Sequence, residues 1–288
     1  MALLDDLVVQ TALFPLLAGA AAVGAARLAG GRSLGPRLAA AGVAVAFLAA
    51  YALIVGLPAL PPPSSMGRLF WSAAIGLLLG VGADLAGLDR RRGTLLLGAW
   101  MAAALLWIAL PVLPGSLDTI TAAVLLLAGG WIALSRNASR TAAEGEGVAT
   151  PGVALLAAAV AVGGVALAGA SASVAQLAFA LAAATGGLLL WNWPVERHVW
   201  GNAGQAALGI LVLLAATLTF FSSARAEALL LVLPAFFADQ LRDRLPLPRT
   251  AAGRALGTVA LTVIALVPAM AAVGVAFLLS AGSDVSGY

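Results

Sequence analysis

Cysteine and lysine are both absent from the 288 residues, and histidine occurs once, at His198. Without thiolates there are no disulfides, thiolate metal sites or iron–sulfur clusters. Without lysine there is neither a P-loop ammonium nor a retinal-type Schiff base. One histidine cannot supply the paired axial ligands of a bundle-held haem, nor an H-E-x-x-H zinc site. No metal and no cofactor is therefore expected. Charge is scarce too, at 9% of the chain, against about a quarter in a soluble domain.

Apolar side chains fill the space: 62% of residues, with a mean hydropathy of +1.07. That is more than one globular core can bury, which excludes a soluble enzyme. At roughly 20 apolar residues per crossing, the length holds on the order of ten spans and little else. The expected fold class is an all-α polytopic transmembrane helix bundle forming a single integral membrane domain over 1–288. Apolar runs bounded by polar residues place spans at 7–28, 38–60, 69–88, 94–113, 120–134, 152–167, 174–191, 206–221, 226–238 and 255–280. Nine or eleven spans also fit, because only the small residues 168–172 part the sixth from the seventh and the ninth is short. The N-terminus carries Asp5 and Asp6 rather than a basic leader, so the first helix is expected to be retained.

The net charge of +3 and the pI near 10.5 come from arginine alone. They do not imply a nucleic-acid partner, because the arginines punctuate apolar runs. Alternate loops hold Arg27, Arg32 and Arg37, then Arg90, Arg91 and Arg92, then Arg136 and Arg140, then Arg197, then Arg242, Arg244, Arg249 and Arg254. Only Arg68 and Arg225 fall in the opposite set. Cytoplasmic loops retain positive charge, so both termini are expected on the non-cytoplasmic side. The Arg-only, Ala- and Gly-rich composition suggests a bacterial plasma (inner) membrane. The lipid bilayer is the expected partner, with anionic headgroups at the arginine loops and other membrane subunits as a further class. The connection 136–150 also divides the chain into halves 1–143 and 144–288, five spans each, which would be oppositely oriented like the inverted repeats of many carriers.

An ionisable group in hydrocarbon is by default a functional candidate. Asp84 alone qualifies, one turn from the cytoplasmic end of the third span. It reads either as a snorkelling carboxylate paired with Arg27 or Arg90–Arg92, or as a proton or cation site at the inner mouth of a pathway. The stretch 191–205, WNWPVERHVWGNAGQ, gathers three of the seven Trp with Glu196, Arg197, His198 and Asn202. It reads as an interfacial aromatic belt, or as a segment folded under the bundle that gates, contacts headgroups or docks a partner. The ninth span starts at Glu227, is interrupted by Pro234 and runs into Asp239 and Asp243 between Arg242 and Arg244. Short or broken helices line transporter sites, while a lipid-facing kink with a charged cap reads equally well; Pro268 predicts a second kink. Small residues four apart, at Ala20/Gly24, Gly76/Gly80 and Gly253/Gly257, suggest close helix packing. The Pro-rich run 57–65 reads as a rigid external loop.

No catalytic constellation is visible, so an enzyme is not expected. A transporter or permease for a small neutral or lipid-like molecule fits the bundle size. A non-catalytic subunit or assembly factor of a larger membrane complex fits the lack of charge at mid-span. A polar cavity lined by Gln10, Thr11, Tyr51, Gln176, Thr217 and Thr219 would favour the first, and a filled interior the second.

Overall fold

The computed structural model describes residues 6–113, 116–143, 147–224, 226–246 and 250–285. These form α1 (Phe14–Gly30, entered through a π-helical turn at Val9–Leu13), α2 (Gly35–Leu38), α3 (Ala41–Ile54), α4 (Ser65–Leu85), α5 (Arg90–Ala109) and α6 (Leu117–Ala143). There follow α7 (Ala149–Ala168), α8 (Ala172–Trp191), α9 (Gly201–Phe221), α10 (Ala226–Leu230), a 3₁₀ turn (Leu233–Phe237), α11 (Ala238–Arg242) and α12 (Ala251–Val285). Among the described residues, eight helices are long and apolar enough to cross a bilayer. The protein is an integral, multi-pass membrane helix bundle.

Of the ten expected spans, eight correspond to single helices of crossing length, and the second and ninth are composite. α2 and α3 join through Ala39 and Ala40, both in helical φ/ψ, and together run from Gly35 to Ile54, about 30 Å at the helical rise. In the ninth, Pro234 has no N–H to offer Leu230 and its ring collides with that carbonyl. α10 therefore ends at Leu230, and the chain resumes as the 3₁₀ turn and α11. α12, by contrast, continues across Pro268. The sixth and seventh spans part cleanly at the turn 169–171, where Ala170 adopts φ 55°.

Helix ends follow local chemistry. Ser64 and Asp89 cap α4 and α5, accepting from the N–H groups of Gly67 and Arg92 at 3.1 and 2.8 Å. Two boundaries depart from expectation in one direction. α9 starts at Gly201 rather than 206, and α6 runs on to Ala143 rather than 134, so Asn202, Gln205, Arg136 and Arg140 are helical. The Pro-rich run is a non-helical loop that folds over the start of α4, where the Trp71 indole donates to the Ala59 carbonyl at 3.3 Å.

α9 is the central helix, packed by α4, α5, α6 and α3, while α8 lies between α1, α3 and α7, and α12 covers α7. α1, α6 and α12 keep broad apolar faces outward. Lipid competes for apolar contact, so such helices are held by close approach of small residues. Gly76 and Gly80 serve this purpose: Gly80 meets Ala203 of α9, and Gly76 receives the ring of Trp100. That indole donates to the Ser72 carbonyl at 3.1 Å. On α1, the Ala20 carbonyl accepts from the Trp191 indole at 2.9 Å, and Gly187 of α8 sits against the backbone of Leu16 and Ala20. Gly253 and Gly257 instead line an open groove.

The helix order brings one set of ends together. The starts of α2, α5, α7, α9 and α12 lie with the ends of α1, α4, α6, α8 and α11, and with them the described arginines of the larger set. Arg68 is at the opposite end, donating to the Trp107 carbonyl at 2.9 Å. Arg225 and Arg249 lie outside the described residues, as do 144–146, where the two halves would join.

A Cβ on Gly187 would come within 2.5 Å of the Leu16 carbonyl oxygen, whereas one on Gly82 meets nothing within 4 Å. Gly187→Ala is therefore expected to lower stability by about 1–3 kcal/mol and Gly82→Ala to raise it by about 0.5–1 kcal/mol. Thermal melts in mild detergent check both, and equal behaviour of the two variants would remove the α1–α8 contact as a determinant.

Candidate functional site at the arginine-rich end

α9 begins where Gly201 takes φ +57°, a left-handed conformation that favours glycine. A Cβ there would also fall 2.8 Å from the Asp84 carboxylate. Asp84, 9% exposed, thus reaches the first turn of α9. Its Oδ1 accepts from the Asn202 N–H at 2.8 Å and the Asn202 Nδ2 at 2.9 Å, and its Oδ2 accepts from the Ala203 N–H at 2.9 Å. A carboxylate is well placed here, because the first N–H groups of a helix have no intrahelical partner and carry its positive dipole end. Glu196 does the same at α7, accepting from the Ala149 N–H at 2.9 Å. Two of the expected site residues are therefore caps supplied from elsewhere in the fold.

Residues 192–200 form no helix. They tuck beneath the bundle, with the Val199 N–H donating to the Pro36 carbonyl at 2.9 Å. Asn192 organises the turn: its Oδ1 accepts from the N–H groups of Arg197 and His198, both at 2.9 Å, and lies 3.3 Å from His198 Nδ1. His198 and Trp200 are buried, and Trp193 is exposed. Burial, followed by the charges of Arg27 and Arg197, holds the His198 imidazole below the usual histidine range.

Beside Asp84 a cavity of about 250 Å³ opens between α4, α5 and α9. Asp84, Asp89, Arg37, Arg90, Thr94 and Gln205 line it. Gln205 is 4% exposed, and its Oε1 has no hydrogen-bond partner among the described residues. Arg37, Thr94 and Gln205 escaped the sequence reading. Gln205 was legible only as the last polar residue of the Trp-rich stretch, and the boundary at 206 had placed it in a loop.

The discontinuous ninth segment is held by charge. Asp239, 1% exposed, accepts from Arg136 Nη2 on both oxygens, at 3.0 and 2.8 Å, and also pairs with Arg140. Arg140 reaches Asp243 at 2.7 Å, and Arg242 binds Asp243 and donates to the Thr150 hydroxyl at 3.1 Å. Burial alone would raise the Asp243 carboxyl. The hydrogen bonds and charges of Arg140 and Arg242 overcome it and hold the group below the usual carboxylate range. The ladder had a sequence signature: Arg136 and Arg140, like Asp239 and Asp243, are four apart, one helical turn.

The remaining candidates lie apart. Glu227 lines a surface cavity at the opposite end with Asp118 and Thr219, and Pro234 is an exposed turn residue. The side chains proposed for a mid-membrane cavity are largely occupied. Tyr51 is fully buried with its ring 5.0 Å from that of Phe70. The hydroxyls of Thr11, Thr217 and Thr219 each donate to the carbonyl one turn back. Comparison with known proteins finds no match: no family model, no curated protein and no solved structure is similar to the chain.

Asp239→Leu leaves the Arg136 guanidinium without its carboxylate in a largely buried site, and is expected to cost about 3–5 kcal/mol, read as a lower melting temperature. The unfolded chain binds a proton at His198 more readily than the folded one, so stability is expected to fall as pH drops below about 6.5. A melt series from pH 7.5 to 5 should show that slope in the parent and a shallower one in His198→Gln. Asp243, whose folded carboxyl is depressed, contributes its loss only at more acidic pH, below the ordinary carboxylate range.

Proposed function

We propose that the protein is a transporter or permease of a bacterial plasma membrane for small neutral molecules, with its arginine-rich end in the cytoplasm and both termini outside. The observation that carries this reading is the polar cavity at the arginine-rich end, which reaches a buried amide with an unmet acceptor at Gln205. A buried polar atom without a partner costs about 1–3 kcal/mol, a cost that packing alone has no reason to keep. The discontinuous segment from Ala226 to Arg242 supports the same reading, because broken helices in membranes occur where protein or a cavity takes up their freed backbone groups. Its ladder of ion pairs to α6 gives it one anchored end. No step of bond chemistry is assigned to the protein. Its arginine loops contact anionic headgroups, and the two five-span halves belong to this reading as inverted units.

A second reading, a non-catalytic subunit of a larger membrane complex, is favoured by the filled interior around Tyr51 and Thr217 and by the exposed apolar faces of α1 and α12.

Two measurements test the proposal. The chain has no native cysteine, so single cysteines report without background. Arg91→Cys and Arg244→Cys should react only with a permeant maleimide in intact cells, and Asp118→Cys with an impermeant one. Cysteines 91 and 244 on opposite sides would end the topology. In proteoliposomes, stopped-flow light scattering should show faster uptake of at least one of urea, glycerol and L-serine than protein-free vesicles. Rates equal to protein-free vesicles, with stoichiometric membrane proteins retained in gentle detergent, would favour the subunit.

A further inference from the structure

The four charged side chains around the Gln205 cavity are two guanidiniums, Arg37 and Arg90, and two carboxylates, Asp84 and Asp89. Their formal charges cancel. A simple anion would meet the carboxylates as well as the arginines, and a simple cation the reverse. A ligand with both poles on a short skeleton meets each in turn. The cavity volume of about 250 Å³ is below the usual range for drug-sized ligands, about 300–1,000 Å³, and suits a small molecule. Gln205 adds direction: its Oε1 can only accept, the residue is 4% exposed, and that oxygen has no donor among the described residues. A donor on a molecule entering the cavity would satisfy it. Both carboxylates are fixed at helix starts, Asp84 on α9 and Asp89 on α5, so the charge pattern is rigid.

We infer that this cavity binds a small zwitterionic α-amino acid, its carboxylate toward Arg37 and Arg90 and its ammonium donating to Gln205 Oε1 on the side of Asp84. Guanidiniums favour carboxylates because they offer paired donors in a plane. An ammonium N–H would supply Gln205 Oε1 with the donor it lacks among the described residues. This deepens the transport reading by naming the substrate class, but binding is measured without flux, so the two fail separately.

Detergent-purified protein is melted with the fluorescence of its seven Trp as the signal, in the presence of glycine, L-alanine, L-serine or L-proline at millimolar concentration. Sodium acetate, sodium L-lactate, ethylammonium chloride and glycerol serve as comparisons. At least one amino acid should raise the melting temperature by about 2 °C or more through preferential binding to the folded state. Acetate, ethylammonium and glycerol should not, and the shift should be lost in Gln205→Leu. Lactate matching the amino acids would overturn the ammonium assignment. A response to glycerol alone, or to none of the eight compounds, would overturn the site and leave it a water-filled vestibule. The wild-type panel decides the matter even if Gln205→Leu does not fold. Binding without amino-acid flux in vesicles would retain the site and remove the transport reading.

Discussion

The first N–H groups of a helix have no intrahelical partner, and the bundle meets that constraint by carrying carboxylates to helix starts that lack a cap of their own. Asp84, at the end of α4, holds the first turn of α9, the most enclosed helix in the fold. If that start were unmet, α9 would expose free N–H groups where its neighbours α4, α5 and α6 converge. The contact also explains the one left-handed glycine on that turn, since any side chain at Gly201 would displace the carboxylate. Glu196 repeats the solution at α7. The polar residues of the arginine-rich end are thus first a scaffold, and the cavity beside Asp84 is a space that this scaffold leaves open.

The same economy shapes the broken segment. Pro234 interrupts the helix, so the segment cannot be fixed by its own hydrogen-bond ladder and is fixed by ion pairs to α6 instead. Asp239 receives two guanidiniums while almost wholly enclosed. Such an arrangement contributes placement more than net stability, because desolvating the charges offsets much of their attraction. At its other end, around Glu227, the segment faces a surface cavity.

Apolar runs and arginine alternation made the bundle and the clustering of arginines at one end legible. Helix boundaries failed where polarity was taken to mean loop: Asn202 in α9, and Arg136 and Arg140 in α6, are helical with tertiary partners, and Gln205 is helical beside the cavity. Asp84 was singled out as a charge within a span, yet neither of its expected roles anticipated the cap, since the N–H groups it holds are more than a hundred residues away. No hydropathy pattern encodes such a contact. The ladder of Arg136 and Arg140 with Asp239 and Asp243 was readable as matched spacing, but only to an eye looking for pairs across distant segments. The small-residue pairs show both outcomes, with Gly76/Gly80 used for packing and Gly253/Gly257 left on a groove.

That ladder also has a temporal side. Each arginine is separated from its acidic partner by 103 residues, which a ribosome adds in about 5–20 s. Through that interval α6 is made while Asp239 and Asp243 do not yet exist. Until the ninth segment arrives, Arg136 and Arg140 lack the carboxylates that they hold in the finished fold. Closure of the ladder is therefore a late step of biogenesis, timed by the arrival of the ninth segment.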